Sequence, residues 1–155
     1  MSKATYDFQT SAKPETVYQA VSTAEGFAGW WCRTSTVDAK VGGEAEFRFY
    51  GGEAIMVFRF DKLEPNRLVE MTCIRTHNAN PARQADKWQG TRLAFEVKPG
   101  DGGNTAVHLQ HDGWAETVGE DVLAQIRQGW NHFGNSLQQY VETGKGMPYD
   151  DPPKP

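Results

Sequence analysis

The feature that most restricts how this chain can fold is one long amphipathic helix at the end of a sequence otherwise dominated by strands. From about Glu120 to Glu142 the apolar residues Val122, Ile126, Trp130, Phe133, Leu137 and Tyr140 recur at three- and four-residue steps. At roughly 100° per residue they form one stripe. Asp121, Gln125, Gln128, Asn131, Asn135, Gln138, Gln139 and Glu142 fall opposite it. Gly129 lies inside the stripe and Gly134 at its edge, each at a cost of about 1 kcal/mol of helix propensity relative to alanine. Glycine in such places means either very close packing or space left open.

Upstream, the period changes from helical to alternating. Thr5 to Thr10 reads as a strand, Lys13-Pro14-Glu15-Thr16 opens a helix with Val17, Tyr18 and Val21 on its buried side, and a second short helix covers Ala24 to Trp30. Six further strands follow: Thr34 to Asp38, Glu44 to Tyr50, Ala54 to Asp61, Leu68 to Thr76, Trp88 to Lys98 and Thr105 to His111. Glycine pairs at Gly42-Gly43 and Gly51-Gly52, Glu64-Pro65-Asn66, and Pro99 to Asn104 turn the chain between them. The polar stretch His77 to Lys87 reads as a loop. Strands and helices do not alternate, so the expected class is α+β with an antiparallel sheet. A twisted seven-stranded sheet cannot lie flat on one helix, so the expected form is a curved sheet wrapped around it. Residues 1–147 make a single domain, and 148–155 a loose tail.

Composition narrows the function classes. With 16 Lys and Arg against 20 Asp and Glu, the net charge of −4 argues against a nucleic-acid partner. No run of about 18 apolar residues suggests a membrane span, and Met1 to Tyr6 lacks the apolar core of a secretion signal, so the expected location is cytoplasmic. Cys32 and Cys73 form no paired motif and read as free thiols.

Motifs along nearly the whole chain carry a resemblance. Pro14 to Ala20, Gly29-Trp30-Trp31, Val41-Gly42-Gly43, Trp88-Gln89-Gly90-Thr91, His111-Asp112-Gly113-Trp114, Gly129-Trp130 and Ser136 to Gly146 occur in order. In these the chain resembles the START-like, or SRPBCC, helix-grip superfamily, within it the branch homologous to the activator of heat-shock protein 90 ATPase. The resemblance implies a helix-grip fold with an interior between sheet and helix. It does not specify a function, because that superfamily includes lipid carriers, hormone receptors, polyketide cyclases and chaperone regulators.

Alternation sends Phe47, Phe49, Met56, Phe58, Met71, Cys73, Leu93, Phe95, Val107 and Leu109 inward. With Trp31, Gly129, Trp130 and Phe133 they either line a cavity for a small apolar ligand or touch and fill the core. Trp31 and Trp114, both near loops, either rim an entrance or anchor the structure. His111 alternates inward with Val107 and Leu109; it is a candidate to bond a ligand or act as acid or base, or else a satisfied structural histidine. His108 alternates outward and His132 falls on the polar face of the helix. A Glu70–Arg92 pair is conceivable, though an exposed sheet surface accounts for both residues. Cys73 lacks the cationic or helix-terminal setting of a reactive thiolate. No metalloprotease, nucleophile-elbow or phosphate-loop motif occurs, and no metal or cofactor is expected.

The leading expectation is a non-enzymatic protein that holds a small hydrophobic or aromatic molecule between sheet and helix. A cyclase- or hydrolase-type enzyme using His111 comes second. An interaction module that regulates a chaperone, implied only by the resemblance, comes third. A homodimer is left open.

Overall fold

The computed structural model describes residues 3–150. Strand β1 (Ala4–Thr10) leads into helices α1 (Pro14–Ala20) and α2 (Ala24–Trp30). Then come β2 (Ser35–Val37), β3 (Glu44–Phe49), β4 (Ala54–Glu64), β5 (Leu68–Asn78), β6 (Arg92–Pro99) and β7 (Thr105–Asp112), and finally α3 (Glu120–Thr143). All seven strands join one antiparallel sheet in the order β1-β7-β6-β5-β4-β3-β2. Because β1 and β2 occupy opposite edges, α1 and α2 must carry the chain across the sheet's inner face. The sheet curves around α3, the α+β helix-grip architecture expected from the sequence.

Local chemistry explains the element ends. Pro14 occupies the first turn of α1, where a missing N–H costs nothing. Thr23 caps α2, its hydroxyl accepting the Gly26 N–H at 3.0 Å. Glu120 and Asp121 place negative charge at the start of α3. At its far end Gly144 turns left-handed at φ 82° and donates its N–H to the Tyr140 carbonyl at 2.7 Å. Register shifts between Val57 and Phe58 and between Phe60 and Lys62 interrupt the β4–β5 ladder, bending the two longest strands.

Three boundaries differ from expectation. Strand β5 runs on to Asn78, so His77 belongs to the sheet and not to a loop. Trp88 does not start a strand; it ends a short 3₁₀ turn, Ala85–Trp88, and β6 begins four residues later at Arg92. The tail expected to be loose from Pro148 is tied down at Tyr149. Its N–H donates to the Trp31 carbonyl at 2.8 Å, and its own carbonyl accepts the Arg33 N–H at 3.0 Å. Residues 151–155 lie outside the described residues.

One continuous apolar core fills the space between the inner sheet face and the helices. Phe27 of α2 packs edge-on against Phe47, with centroids 5.0 Å apart, and Trp30 packs edge-on against Phe95 at 5.9 Å. The Trp30 indole N–H reaches the Ala20 carbonyl at 2.7 Å, so its burial leaves no donor unmet. Ser136, buried on α3, donates to the Trp30 carbonyl at 2.7 Å and accepts the Met147 N–H at 2.6 Å. That one hydroxyl fastens α3 to α2 and to the segment that follows α3.

Candidate functional site: a cavity beside the helix

Not all of the interior is filled. Between the N-terminal half of α3 and strands β3 and β4 lies a half-open cavity of about 250 Å³. An ideal methyl built on Gly129 meets no atom within 4 Å. At Gly134 the same methyl would overlap the Tyr6 ring of β1. The two glycines of α3 therefore serve the two purposes open to them, space at one and close packing at the other.

Of the expected cavity residues, Trp31, Phe49, Met56, Gly129, Trp130 and Phe133 lie on its wall. Phe47, Phe58, Met71, Cys73, Phe95, Leu109, His111 and Trp114 do not; all except the half-buried Trp114 are buried in the filled core. Helices cover several of these positions: Phe47 and Phe95 pack against Phe27 and Trp30 of α2, and His111 against Trp130 of α3. Trp31, expected as rim or anchor, is 1% exposed and forms the floor. Trp114 sits behind the wall, edge-on to Trp88 with centroids 6.0 Å apart.

Three indoles dominate the wall. Trp31 lies 5.2 Å from Trp130 and 6.3 Å from Trp88, and Trp88 lies 6.0 Å from Trp130, centroid to centroid. Trp31 and Trp88 are near parallel at 22°. Trp31 and Trp130 are 1% and 2% exposed, so of the three only the half-buried Trp88 keeps appreciable open surface.

The mouth was not readable beforehand. Tyr50, Arg83, Gln84, Ala85, Gln125 and Tyr149 complete the wall together with Ala54, Trp88 and Ile126. Tyr50 and Gln84 both adopt left-handed backbone, at φ 56° and 59°, a conformation that strains non-glycine residues. Arg83 lies over the Tyr50 ring at 3.8 Å from its centroid. Its Nε donates to Glu53 Oε1 at 3.0 Å, and Asn80 Nδ2 donates to the same oxygen at 3.2 Å. These bonds hold the Glu53 carboxyl below the usual carboxylate range. Tyr149 meets Tyr50 at 5.0 Å and Phe49 at 5.3 Å, both edge-on.

His111 faces inward as alternation placed it, one ring removed from the cavity, against Trp88 and Trp130. An indole nitrogen can only donate, so Trp130 Nε1–H gives its hydrogen to His111 Nδ1 at 3.0 Å. The proton of the neutral ring therefore sits on Nε2, which donates to Thr91 Oγ1 at 2.8 Å, and Thr91 in turn donates to the Trp88 carbonyl at 2.6 Å. Every group in this relay is satisfied. Complete burial pushes the His111 pKa down to about 3, so the ring is neutral across the ordinary pH range.

The remaining candidates are placed as follows. Burial pushes the Cys73 thiol up to about 12, far from a reactive thiolate. Cys32 and Cys73 are both buried, and Cys32 Sγ donates to the Arg48 carbonyl at 3.0 Å. His132 is exposed, and His108 faces outward, bonded to Asp7 at 2.6 Å. Arg92 reaches Asp112 at 3.5 Å, and Arg75 pairs with Glu44 at 2.5 Å. Among the described residues no three His, Cys, Asp or Glu side chains are placed to hold a metal ion, and no helix is long and apolar enough to cross a membrane.

The chain matches the family described as Activator of Hsp90 ATPase homolog 1-like protein over residues 11–142. It belongs to that family. The Aha1 dimer of Colwellia psychrerythraea, solved in solution, is 31% identical, with a TM-score of 0.76 over 94% of this chain and 100% of that one. A Staphylococcus saprophyticus protein shares the fold at 18% identity and a TM-score of 0.72, over 96% and 98% of the two chains. A Bacillus halodurans protein does so at 21% identity and a TM-score of 0.66, over 91% and 99%. No curated protein sequence matches. The resemblance to the SRPBCC superfamily read from the motifs thus holds at the level of family and fold.

Proposed function

We propose that this member of the activator of Hsp90 ATPase homolog 1-like family binds a small, predominantly aromatic molecule between its sheet and α3. The observation that carries this reading is Gly129, open to a cavity walled by Trp31, Trp88 and Trp130. A helix under no demand but packing gains about 1 kcal/mol from alanine at such a site. Scale is consistent: an engineered cavity of roughly 150 Å³ accepts benzene, so the volume here has room for about two fused rings.

Binding is favoured over catalysis because the one inward histidine has both ring nitrogens engaged by protein and stands behind the wall. The dimeric state of the Colwellia relative supports a homodimer for this chain, which sedimentation equilibrium reads directly.

Titration with 1-naphthamide, followed by calorimetry and by the fluorescence of the wall tryptophans, tests the reading. Saturable one-to-one binding with altered emission is expected, together with a rise in Tm that grows with probe concentration. If neither this probe nor its charged counterparts bind at millimolar concentration, the cavity reading fails. A protein partner, such as the chaperone in the family description, then takes its place.

A further inference from the structure

We propose that the occupant is an aromatic anion, its flat rings against the indoles and a carboxylate-type group on Arg83 at the mouth. The inference rests on the cavity being the binding site and adds the polarity of what it takes. Among the described residues of the wall, Arg83 alone is charged; the others are aromatic, aliphatic, thioether, glycine or neutral amide. The chain as a whole carries a net charge of −4, so an anion is drawn to this mouth by local chemistry and not by the overall field.

The geometry of Arg83 suits the task. Its Nε is used by Glu53, and its guanidinium plane rests on Tyr50, another wall residue. A guanidinium has five N–H donors and no acceptor; the four on its terminal nitrogens make no bond among the described residues. They match a planar, acceptor-only group, which arginine bonds in pairs. The stacking and the Glu53 bond hold the side chain at the rim, so little further ordering is needed on binding. Gln84 and Gln125 beside it are neutral amides and do not oppose an anion. Glu53 is the resident competitor: it is not among the described wall residues and accepts the Arg83 Nε–H.

The test compares 1-naphthoate with its neutral isostere 1-naphthamide, by calorimetry, on the full chain and on Arg83→Gln and Glu53→Gln. In the unchanged protein the naphthoate is expected to bind about tenfold tighter, the low end for a charge-assisted bond at a half-exposed site. Arg83→Gln should remove that preference, the naphthoate losing about tenfold in affinity relative to the naphthamide. Glu53→Gln should widen it, because the guanidinium loses its competing carboxylate. The opposite directions matter: if Arg83 were only a clasp for the segment it sits on, breaking the clasp from either side would weaken binding alike. Equal affinity for both probes in the unchanged protein overturns the proposal and leaves the cavity reading standing, as does a loss of preference in Glu53→Gln. Failure of both probes to bind overturns the cavity reading and this proposal with it.

Discussion

Five residues apart on α3, Gly129 and Gly134 occupy the same helix and the same element-level environment, yet they answer opposite needs. Gly134 brings the helix so close to β1 that a methyl would overlap the Tyr6 ring. Gly129 faces open space beside three indoles. Trp130 is the partition between the two settings. Its indole, 2% exposed, borders the cavity, while its N–H enters the filled core at His111. A glycine in an apolar stripe therefore does not identify a site; what lies opposite it does.

The largest expected effect falls on the filled side, through acid. His111 titrates near 6.5 when unfolded and near 3 when folded, because burial disfavours its charged form. Between those values the unfolded chain binds the extra proton, so stability is complete above about pH 6.5 and is lost as pH falls toward 3, by up to about 1.4 kcal/mol per pH unit. The full span is on the order of 5 kcal/mol. His108 works the other way: burial lowers its pKa, but bonds to Asp7 and Gln110 and the nearby acid charges outweigh that and raise it. Its contribution is present at low pH and lost as pH rises through the raised value. Urea unfolding from pH 7 to 4 should show a net fall in stability, steeper in His108→Gln, where the opposing histidine is gone. A flat profile in both proteins would contradict the buried relay.

Next in size is the contrast of alanines. Gly134→Ala gains helix propensity but forces the Tyr6 ring to move, and overpacking of that kind costs about 1–3 kcal/mol. A net loss of about 1–2 kcal/mol is expected, or a fall in Tm of roughly 2–8 °C for a domain of this size. Gly129→Ala should do the reverse, gaining up to about 1 kcal/mol, since its methyl enters empty space. Scanning calorimetry on the two variants sharpens the comparison, and equal shifts of the same sign would break it.

How much of this could be read in advance follows from periodicity. Alternation found all seven strands, and helical phase found α3, because each buries one face. The space at Gly129 was legible as one of two possibilities, while the choice needed the position of β1. Ser136 belongs to neither the apolar stripe nor the polar face read from the sequence, yet it is buried, because its hydroxyl serves Trp30 and Met147. The mouth could not be read at all. Arg83 and Tyr149 lie outside periodic segments, and Trp88 precedes a strand that begins only at Arg92. Inward-facing positions such as Phe47, Met71 and Leu109 looked identical to Met56, since alternation reports which face a residue takes and not whether a helix covers it.

The most direct measurement is the affinity of Gly129→Leu for 1-naphthoate, taken beside its Tm. Leucine on that helical position would fill a large part of the 250 Å³ cavity and meets no atom at its Cβ. The expected result is a folded protein, at least as heat-stable as the parent, that no longer takes the probe. A variant that binds 1-naphthoate as tightly as the parent would contradict the claim that the open face of α3 is the binding site.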